Sequence, residues 1–142
     1  KELAALLKGH VPVIYTSRKN QPIGYNWKIK FNETGKIPAF SNVFPELNHN
    51  EMTGFDVQES SRELSKVFHF IVIRDVADFF KTQKRMNVLA TLYVSRNLPV
   101  TILELEGETQ FEKIFSSLIL ADWAAYYTAV QYGLEPEQVP MV

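Results

Sequence analysis

The sequence predicts an α/β fold, a doubly wound three-layer sandwich with a mostly parallel sheet of four to five strands. Short apolar runs alternate with segments in which apolar residues recur every three or four positions, which is typical of strands alternating with helices. The run KVFHFIVIR, residues 66–74, is apolar at both alternating sets of positions, as a strand covered on two faces must be. Because parallel strands need crossover connections, we expect helices on both faces of the sheet.

The first elements are marked by clear periodicity. The chain begins in an apparent helix and continues into VPVIYTS, residues 11–17, which predicts a strand. After a polar turn, Ile23, Trp27 and Phe31 recur every four residues and predict a helix. Gly35 is expected to cap this helix, because glycine adopts the left-handed conformation of a helix end without strain.

The remaining elements continue the alternation. IPAFS, residues 37–41, predicts a second short strand, and FPELNHNEM, residues 44–52, predicts a short helix. Beyond the buried strand, residues 81–97 predict a helix, residues 99–106 a further strand, and residues 108–133 a long final helix. Strands and helices joined by short connections predict an open sheet in which ligands bind beyond the carboxyl ends of the strands.

Composition limits the classes of protein and partner. With 142 residues, 46% of them apolar and 13% aromatic, the chain can bury a single core, so we expect one domain over residues 1–142. A net charge of −1 favours neither nucleic acid nor an anionic membrane as a partner. The absence of cysteine excludes disulfides and thiolate chemistry, and with no signal-peptide pattern we expect a cytoplasmic protein.

Common chemical motifs are missing from the sequence. It contains no glycine-rich phosphate loop, no G-x-S-x-G motif and no pair of histidines at positions i and i+4. Nucleotide, hydrolase and metal sites are therefore not favoured, and we expect neither a cofactor nor a metal. His69 lies inside an apolar strand and is expected to be a hydrogen-bonded core residue. His49 lies in a polar segment, where the alternative to a functional role is a solvated helical face.

Polar side chains follow several predicted strands, where a ligand would bind in this class of fold. Thr16 and Ser17 end the first strand and are candidate substrate-binding residues. Solvated loop residues occupy the same positions in every such fold, so the alternative that each of them is an ordinary solvated loop residue without a binding role stays open. The other polar residues at such positions are Arg18, Asn42, Arg74, Asp75, Glu106 and Glu108.

One dense segment resembles a known family. VIYTS followed by NWKIKFNETGKIPAFSNVFPELNHNEMTGF resembles the second half of the bifunctional phosphoglucose/phosphomannose isomerases, whose chains contain two sugar-isomerase (SIS) domains in tandem. Where that family usually reads Glu-Asn-Ala-Lys, this chain keeps Glu33 and Lys36 but has Thr34 and Gly35 between them. The matching positions are Trp27, Asn32, Glu33, Lys36, Pro38, Phe44, Pro45, Glu46, Asn48, His49, Asn50, Glu51 and Gly54.

The resemblance implies a flavodoxin-like SIS domain that isomerises glucose 6-phosphate or mannose 6-phosphate to fructose 6-phosphate through a cis-enediol, a reaction of glycolysis and gluconeogenesis. The residue matching the family's base is Glu33, and partial burial can raise the pKa of a carboxylic acid toward the value that proton transfer needs. The residue matching its ring-opening group is His49, which the family supplies across a homodimer interface; an imidazole titrates near neutrality and suits that proton transfer.

The resemblance also implies that parts of the site lie elsewhere. The family's phosphate-binding serines and threonines and an arginine belong to the N-terminal SIS domain, and a catalytic lysine follows the segment matching residues 135–142. We therefore expect the C-terminal half of a tandem-SIS protein, with little activity as an isolated chain. The alternative is a non-catalytic SIS module that binds a phosphosugar or mediates dimerisation, which would not need Glu33 and His49. A flavodoxin-like electron carrier or receiver domain is disfavoured by the basic segment YTSRKNQ.

Overall fold

The computed structural model describes residues 1–56, 58–139 and 141. One sheet of four parallel strands, in the order β2-β1-β3-β4, forms the middle layer of the fold. Its strands are β1 (Val11–Ser17), β2 (Phe40–Phe44), β3 (Phe68–Arg74) and β4 (Val100–Glu104). The helices are α1 (Glu2–Leu6), α2 (Gln21–Glu33), α3 (Glu51–Gly54), α4 (Arg62–Ser65), α5 (Phe80–Ser95) and α6 (Gln110–Gln131), with a 3₁₀ helix at Glu46–Asn48. In the part of the chain described, every helix is too short or too polar to cross a membrane.

Each face of the sheet has its own apolar core, which confirms the predicted doubly wound α/β class. On one face, Ile14 and Ile71 of the central strands pack against α1, α2 and α6, with Trp27 fully buried between them. On the other face, Tyr15 and Phe70 pack against α5 and the 3₁₀ helix. Because β1 and β3 are buried on both sides, their sequences lack the polar alternation of a half-exposed strand.

Helix α6 packs on the sheet through its small residues. Thr109 caps its start in a reciprocal pair with Glu112, and Gly133, at φ +68° and the last residue of the predicted helix, follows its end. Its large aromatic residues point away from the sheet: Phe111 is 70% exposed and Trp123 54% exposed. The fully or nearly fully buried small residues of this helix are Ala121, Ala124, Ala125, Thr128 and Ala129.

The predicted cap at Gly35 is wrong. Helix α2 ends at Glu33, and the residue in the left-handed region is Lys36, at φ +58°. Gly35 is required for a different reason: a Cβ atom at this position would lie 2.7 Å from the carbonyl oxygen of Phe31. The turn after α2 therefore depends on close backbone packing at Gly35, and a lysine carries the strained backbone angle.

The predicted position of the second strand is also wrong by three residues. Strand β2 begins at Phe40, where it pairs with Val13 of β1, and not at Ile37. Pro38, inside the predicted range, has no N–H group to donate to a neighbouring strand. Because β2 starts at Phe40, Asn42 lies within this strand, directly opposite Tyr15 of β1, and not in the loop that follows the strand.

Candidate functional site

Glu33 lies at the amino-terminal edge of the sheet. Helix α2 starts after the carboxyl end of β1 and runs back along the sheet, so its last residue, Glu33, returns to the edge where the strands begin. The side chain is exposed, and it borders a cavity of about 420 Å³. The cavity is lined by Asn32, Glu33, Lys36, Ile37, Pro38, Val139 and Met141. A carboxylate in a largely apolar concave surface can face a small polar ligand.

Lys36 joins this cavity to the segment that follows α6. Its ammonium group donates hydrogen bonds to the carbonyl oxygens of Glu33, Pro136 and Gln138, the second at 3.2 Å. An ammonium group has three protons to donate, so these three acceptors use its full capacity. Lys36 therefore acts as a clamp that holds the C-terminal segment beside Glu33.

His49 lies at the opposite edge of the sheet. It follows the 3₁₀ helix Glu46–Asn48, which begins just beyond the carboxyl end of β2, and its imidazole is exposed. Leu47, two residues earlier, is fully buried in the core that also contains Tyr15. An exposed imidazole on a turn that is anchored in the core is well placed to reach another molecule.

Glu33 and His49 do not meet within one chain. Strand β2 separates them, and its five residues span about 16 Å at roughly 3.3 Å per residue. They also lie on different faces: α2 packs in the core that contains Trp27, whereas the 3₁₀ helix packs in the core that contains Tyr15. A single small substrate therefore cannot contact both side chains of one copy of this chain.

Thr16 and Ser17 are buried at the carboxyl end of β1. The Ser17 hydroxyl donates to Asp78 Oδ1 at 2.7 Å, and the Asp75 carboxylate lies in the same hydrogen-bond network. Thr16 packs so closely against α2 that a Cβ on Gly24 would lie 2.7 Å from its methyl carbon. A phosphate at this point would meet two carboxylates. The assignment of both residues to substrate binding stays a prediction, and their surroundings favour a structural role.

A buried ion pair ties α6 to the end of β3. Lys113 Nζ lies 2.6 Å from Asp75 Oδ1, and both side chains are buried. Burial by itself would raise the pKa of the Asp75 carboxyl, but hydrogen bonds from Lys113, the Ala77 amide, Lys19 and Asn20 outweigh it and hold the pKa well below its usual range. Lys113 was not predicted as a site residue; its local signal is that it is the charged residue on the side of α6 where small residues are buried.

His69 is the core residue that the sequence predicts. It is buried in β3, and its Nε2 lies 2.8 Å from the Thr101 hydroxyl of β4. Burial, and to a smaller extent the neighbouring His10, lower the pKa of His69 to about 4. The predicted hydrogen-bonded core histidine is thus confirmed, which leaves His49 as the exposed imidazole among the three histidines of the chain.

These features define a doubly wound α/β domain with an exposed carboxylate, Glu33, and an exposed imidazole, His49, at opposite ends of the strands of one parallel sheet. Comparison with known proteins agrees with this class. The chain belongs to the family of bacterial phospho-glucose isomerase C-terminal SIS domains, whose model matches residues 1–142.

Individual relatives extend this result. The chain is 33% identical over 133 residues to a bifunctional phosphoglucose/phosphomannose isomerase of Thermoplasma volcanium, a match that covers 94% of this chain and 41% of the relative. A protein of the same name from Aquifex aeolicus is 28% identical over 142 residues, covering 100% of this chain and 43% of the relative. The chain thus spans about two fifths of the length of these curated relatives.

Solved structures agree on the fold. A glucose-6-phosphate isomerase like protein from Thermus thermophilus superposes with a TM-score of 0.75 at 17% identity, covering 99% of this chain and 46% of that one. At this level of identity the likeness shows a shared SIS fold and carries no residue roles.

Proposed function

We propose that residues 1–142 form the C-terminal catalytic SIS domain of a tandem-SIS phosphosugar isomerase. The enzyme would interconvert glucose 6-phosphate or mannose 6-phosphate with fructose 6-phosphate through a cis-enediol, in the glycolytic and gluconeogenic chemistry of the cytoplasm. The observation that carries this proposal is the match of the family model to residues 1–142. Glu33 and His49, which lie in the segment that resembles the family, are the residues that we propose as the base and the ring-opening group.

Glu33 would carry the proton between C1 and C2. Its carboxylate removes the proton from C2 of the open-chain aldose and returns it to C1 of the enediol, and the reverse reaction uses the same two transfers. The apolar walls of the neighbouring cavity, Ile37 and Pro38, would keep water from the carbon-bound proton once substrate and the second SIS domain close over it. The hydroxyl proton on O2 is lost and a proton is gained on O1 in the same conversion, so protons and electrons balance within one sugar and no redox cofactor is needed.

His49 would act in the site of a second copy. Ring opening moves a proton between the C1 or C2 hydroxyl and the ring oxygen, which an imidazole near neutrality can do. Because β2 separates His49 from Glu33 of its own chain, the geometry supports a homodimer in which each His49 faces the partner's base. A two-fold axis would produce two equivalent sites of this kind.

The substrate phosphate would be bound outside this chain. The curated relatives are more than twice as long, and the buried surroundings of Ser17 place carboxylates where a phosphate would need donors. An N-terminal SIS domain with hydroxyl and amide donors is the proposed partner for the phosphate.

The test compares the full-length protein with this chain alone. We expect the full-length protein to convert both aldose phosphates to fructose 6-phosphate, and this chain alone to show no turnover and only weak binding of fructose 6-phosphate by calorimetry. The reason is that a phosphate supplies much of the binding energy of such substrates. Micromolar affinity of the isolated chain, without turnover by the full-length protein, would contradict the proposal and favour a self-sufficient phosphosugar-binding module.

A further inference from the structure

The turn that carries His49 is held to the sheet on both sides. Leu47, on the amino-terminal side, is fully buried. On the carboxyl-terminal side, Glu51 is the first residue of α3, and its side chain points back to the sheet. The exposed imidazole of His49 thus lies between an apolar anchor and a carboxylate anchor, four residues apart.

Glu51 binds two neighbouring strands at once. One carboxylate oxygen accepts a hydrogen bond from the Tyr15 hydroxyl of β1, and the other accepts one from the Asn42 side-chain amide of β2. Tyr15 and Asn42 are direct partners in the register of these two parallel strands. Glu51 therefore joins β1 and β2 at one pair of partner residues, close to the carboxyl end of β2, after which the turn that contains His49 begins.

The donors on the two strands are fixed in direction. Asn42 Oδ1 accepts from the Val43 amide at 2.8 Å, which leaves the NH₂ group of Asn42 facing Glu51. Tyr15 is fully buried, and burial, followed by the neighbouring Tyr93 and the Glu51 charge, raises the pKa of the Tyr15 phenol far above its ordinary value. The phenol therefore keeps its proton and donates it to the carboxylate, an arrangement stronger than a bond between neutral groups.

We propose that Glu51 is a positioning residue for His49: its carboxylate fixes the turn that presents the imidazole to the substrate. The inference rests on the proposed function, because it assumes that His49 opens the sugar ring. Both carboxylate oxygens are engaged by β1 and β2, so Glu51 acts through the backbone of the turn and is not the proton acceptor of the imidazole. Small displacements of a catalytic group are costly, since about 1 Å can reduce a rate about a hundredfold.

The same turn offers a matched control. Glu46 lies three residues before His49, and Glu51 lies two residues after His49. The side chain of Glu46 is exposed. It accepts a hydrogen bond from Asn50, within the turn, at 3.2 Å. Glu46 thus has the same chemistry and the same proximity in sequence without the connection to β1 and β2.

The experiment uses the full-length protein with fructose 6-phosphate and with an open-chain analogue. We expect Glu51→Ala to lower kcat on the cyclic substrate by about ten- to a hundredfold with KM nearly unchanged, and to leave exchange of the C1 proton of the open-chain analogue intact. In a His49→Ala background the same substitution should cause no further loss. Glu46→Ala should match wild type, and Glu51→Gln should recover most activity, because glutamine can accept from Asn42 and donate to the Tyr15 oxygen.

A second measurement does not depend on activity. In histidine-labelled protein, the NMR signal absent from His49→Ala identifies the His49 ring, and Glu51→Ala should shift or broaden that signal while Glu46→Ala leaves it unchanged. An unchanged signal in Glu51→Ala, or equal losses on cyclic and open-chain substrates, would overturn the positioning role. If His49→Ala is fully active, His49 does not open the ring, and a positioning role of Glu51 in catalysis is overturned with it, even where Glu51→Ala shifts the His49 NMR signal. If His49→Ala is impaired and Glu51→Ala is not, the positioning role of Glu51 alone fails.

Discussion

Replacing Glu33 by glutamine in the full-length protein should lower kcat by at least about a hundredfold and leave the binding of phosphosugar nearly unchanged. The amide has the size and shape of the carboxylate, so the cavity formed with Ile37 and Pro38 is retained. It cannot accept a proton from carbon at any useful rate, and the loss therefore falls on the chemical step. Steady-state kinetics give kcat, and calorimetry with fructose 6-phosphate gives the affinity.

Glu2→Gln is the control for this substitution. Glu2 is an exposed carboxylate in the first turn of α1, far in sequence from the proposed site, and its loss should leave both kcat and binding at the wild-type level. If Glu33→Gln behaves like the control, Glu33 has no part in the mechanism. If Glu33→Gln loses binding as strongly as kcat, Glu33 is a ligand of the substrate and not its base.

Replacing His49 by alanine should have an effect that depends on whether the substrate is a closed ring or an open chain. Turnover of fructose 6-phosphate, which is mostly a closed ring, should fall by about a hundredfold or more, because one general acid–base group typically contributes about 10²- to 10⁴-fold to a rate. The variant should still exchange the C1 proton of open-chain analogues with solvent, because Glu33 remains in place for that step. Proton exchange followed by NMR in deuterated water measures both substrates under the same conditions.

Two other outcomes would change the assignment of His49. Equal loss on cyclic and open-chain substrates would mean that the residue supports the structure or takes part in the enediol step. No loss on either substrate, with a change in unfolding free energy of no more than about 0.5 kcal/mol, is the ordinary result for an exposed side chain. It would mean that His49 belongs to a solvated helical face without a catalytic role.

The features that the sequence predicts well are those with local causes. Strand β1 occupies the predicted residues 11–17, and β3 lies within the predicted 66–74, because a strand buried on both faces is apolar at most positions of both faces. The helix over Ile23 and Trp27 follows from a spacing of four residues. The core role of His69 follows from its apolar neighbours in the same strand.

The features that the sequence does not predict depend on distant contacts. The start of β2 is set by its register with β1, and the partner of Asp75 is Lys113, 38 residues further along the chain. Likewise, the spacing of sixteen residues between Glu33 and His49 cannot show that they lie at opposite edges of the sheet. That separation depends on α2 returning along one face of the sheet and on β2, the edge strand, running its full length between the two residues.

We propose that each site combines Glu33 of one chain with His49 of another. The most direct measurement uses heterodimers of full-length protein, in which one chain carries Glu33→Gln and the other His49→Ala, purified with two different tags. Each homodimer should be nearly inactive, whereas the heterodimer would hold one site with both groups intact, so we expect about half the activity of the wild-type dimer. A heterodimer of Glu33→Gln with a chain carrying both substitutions is the matched control and should be inactive. Activity of the first heterodimer no higher than that of the two homodimers would contradict a site that is shared between two chains.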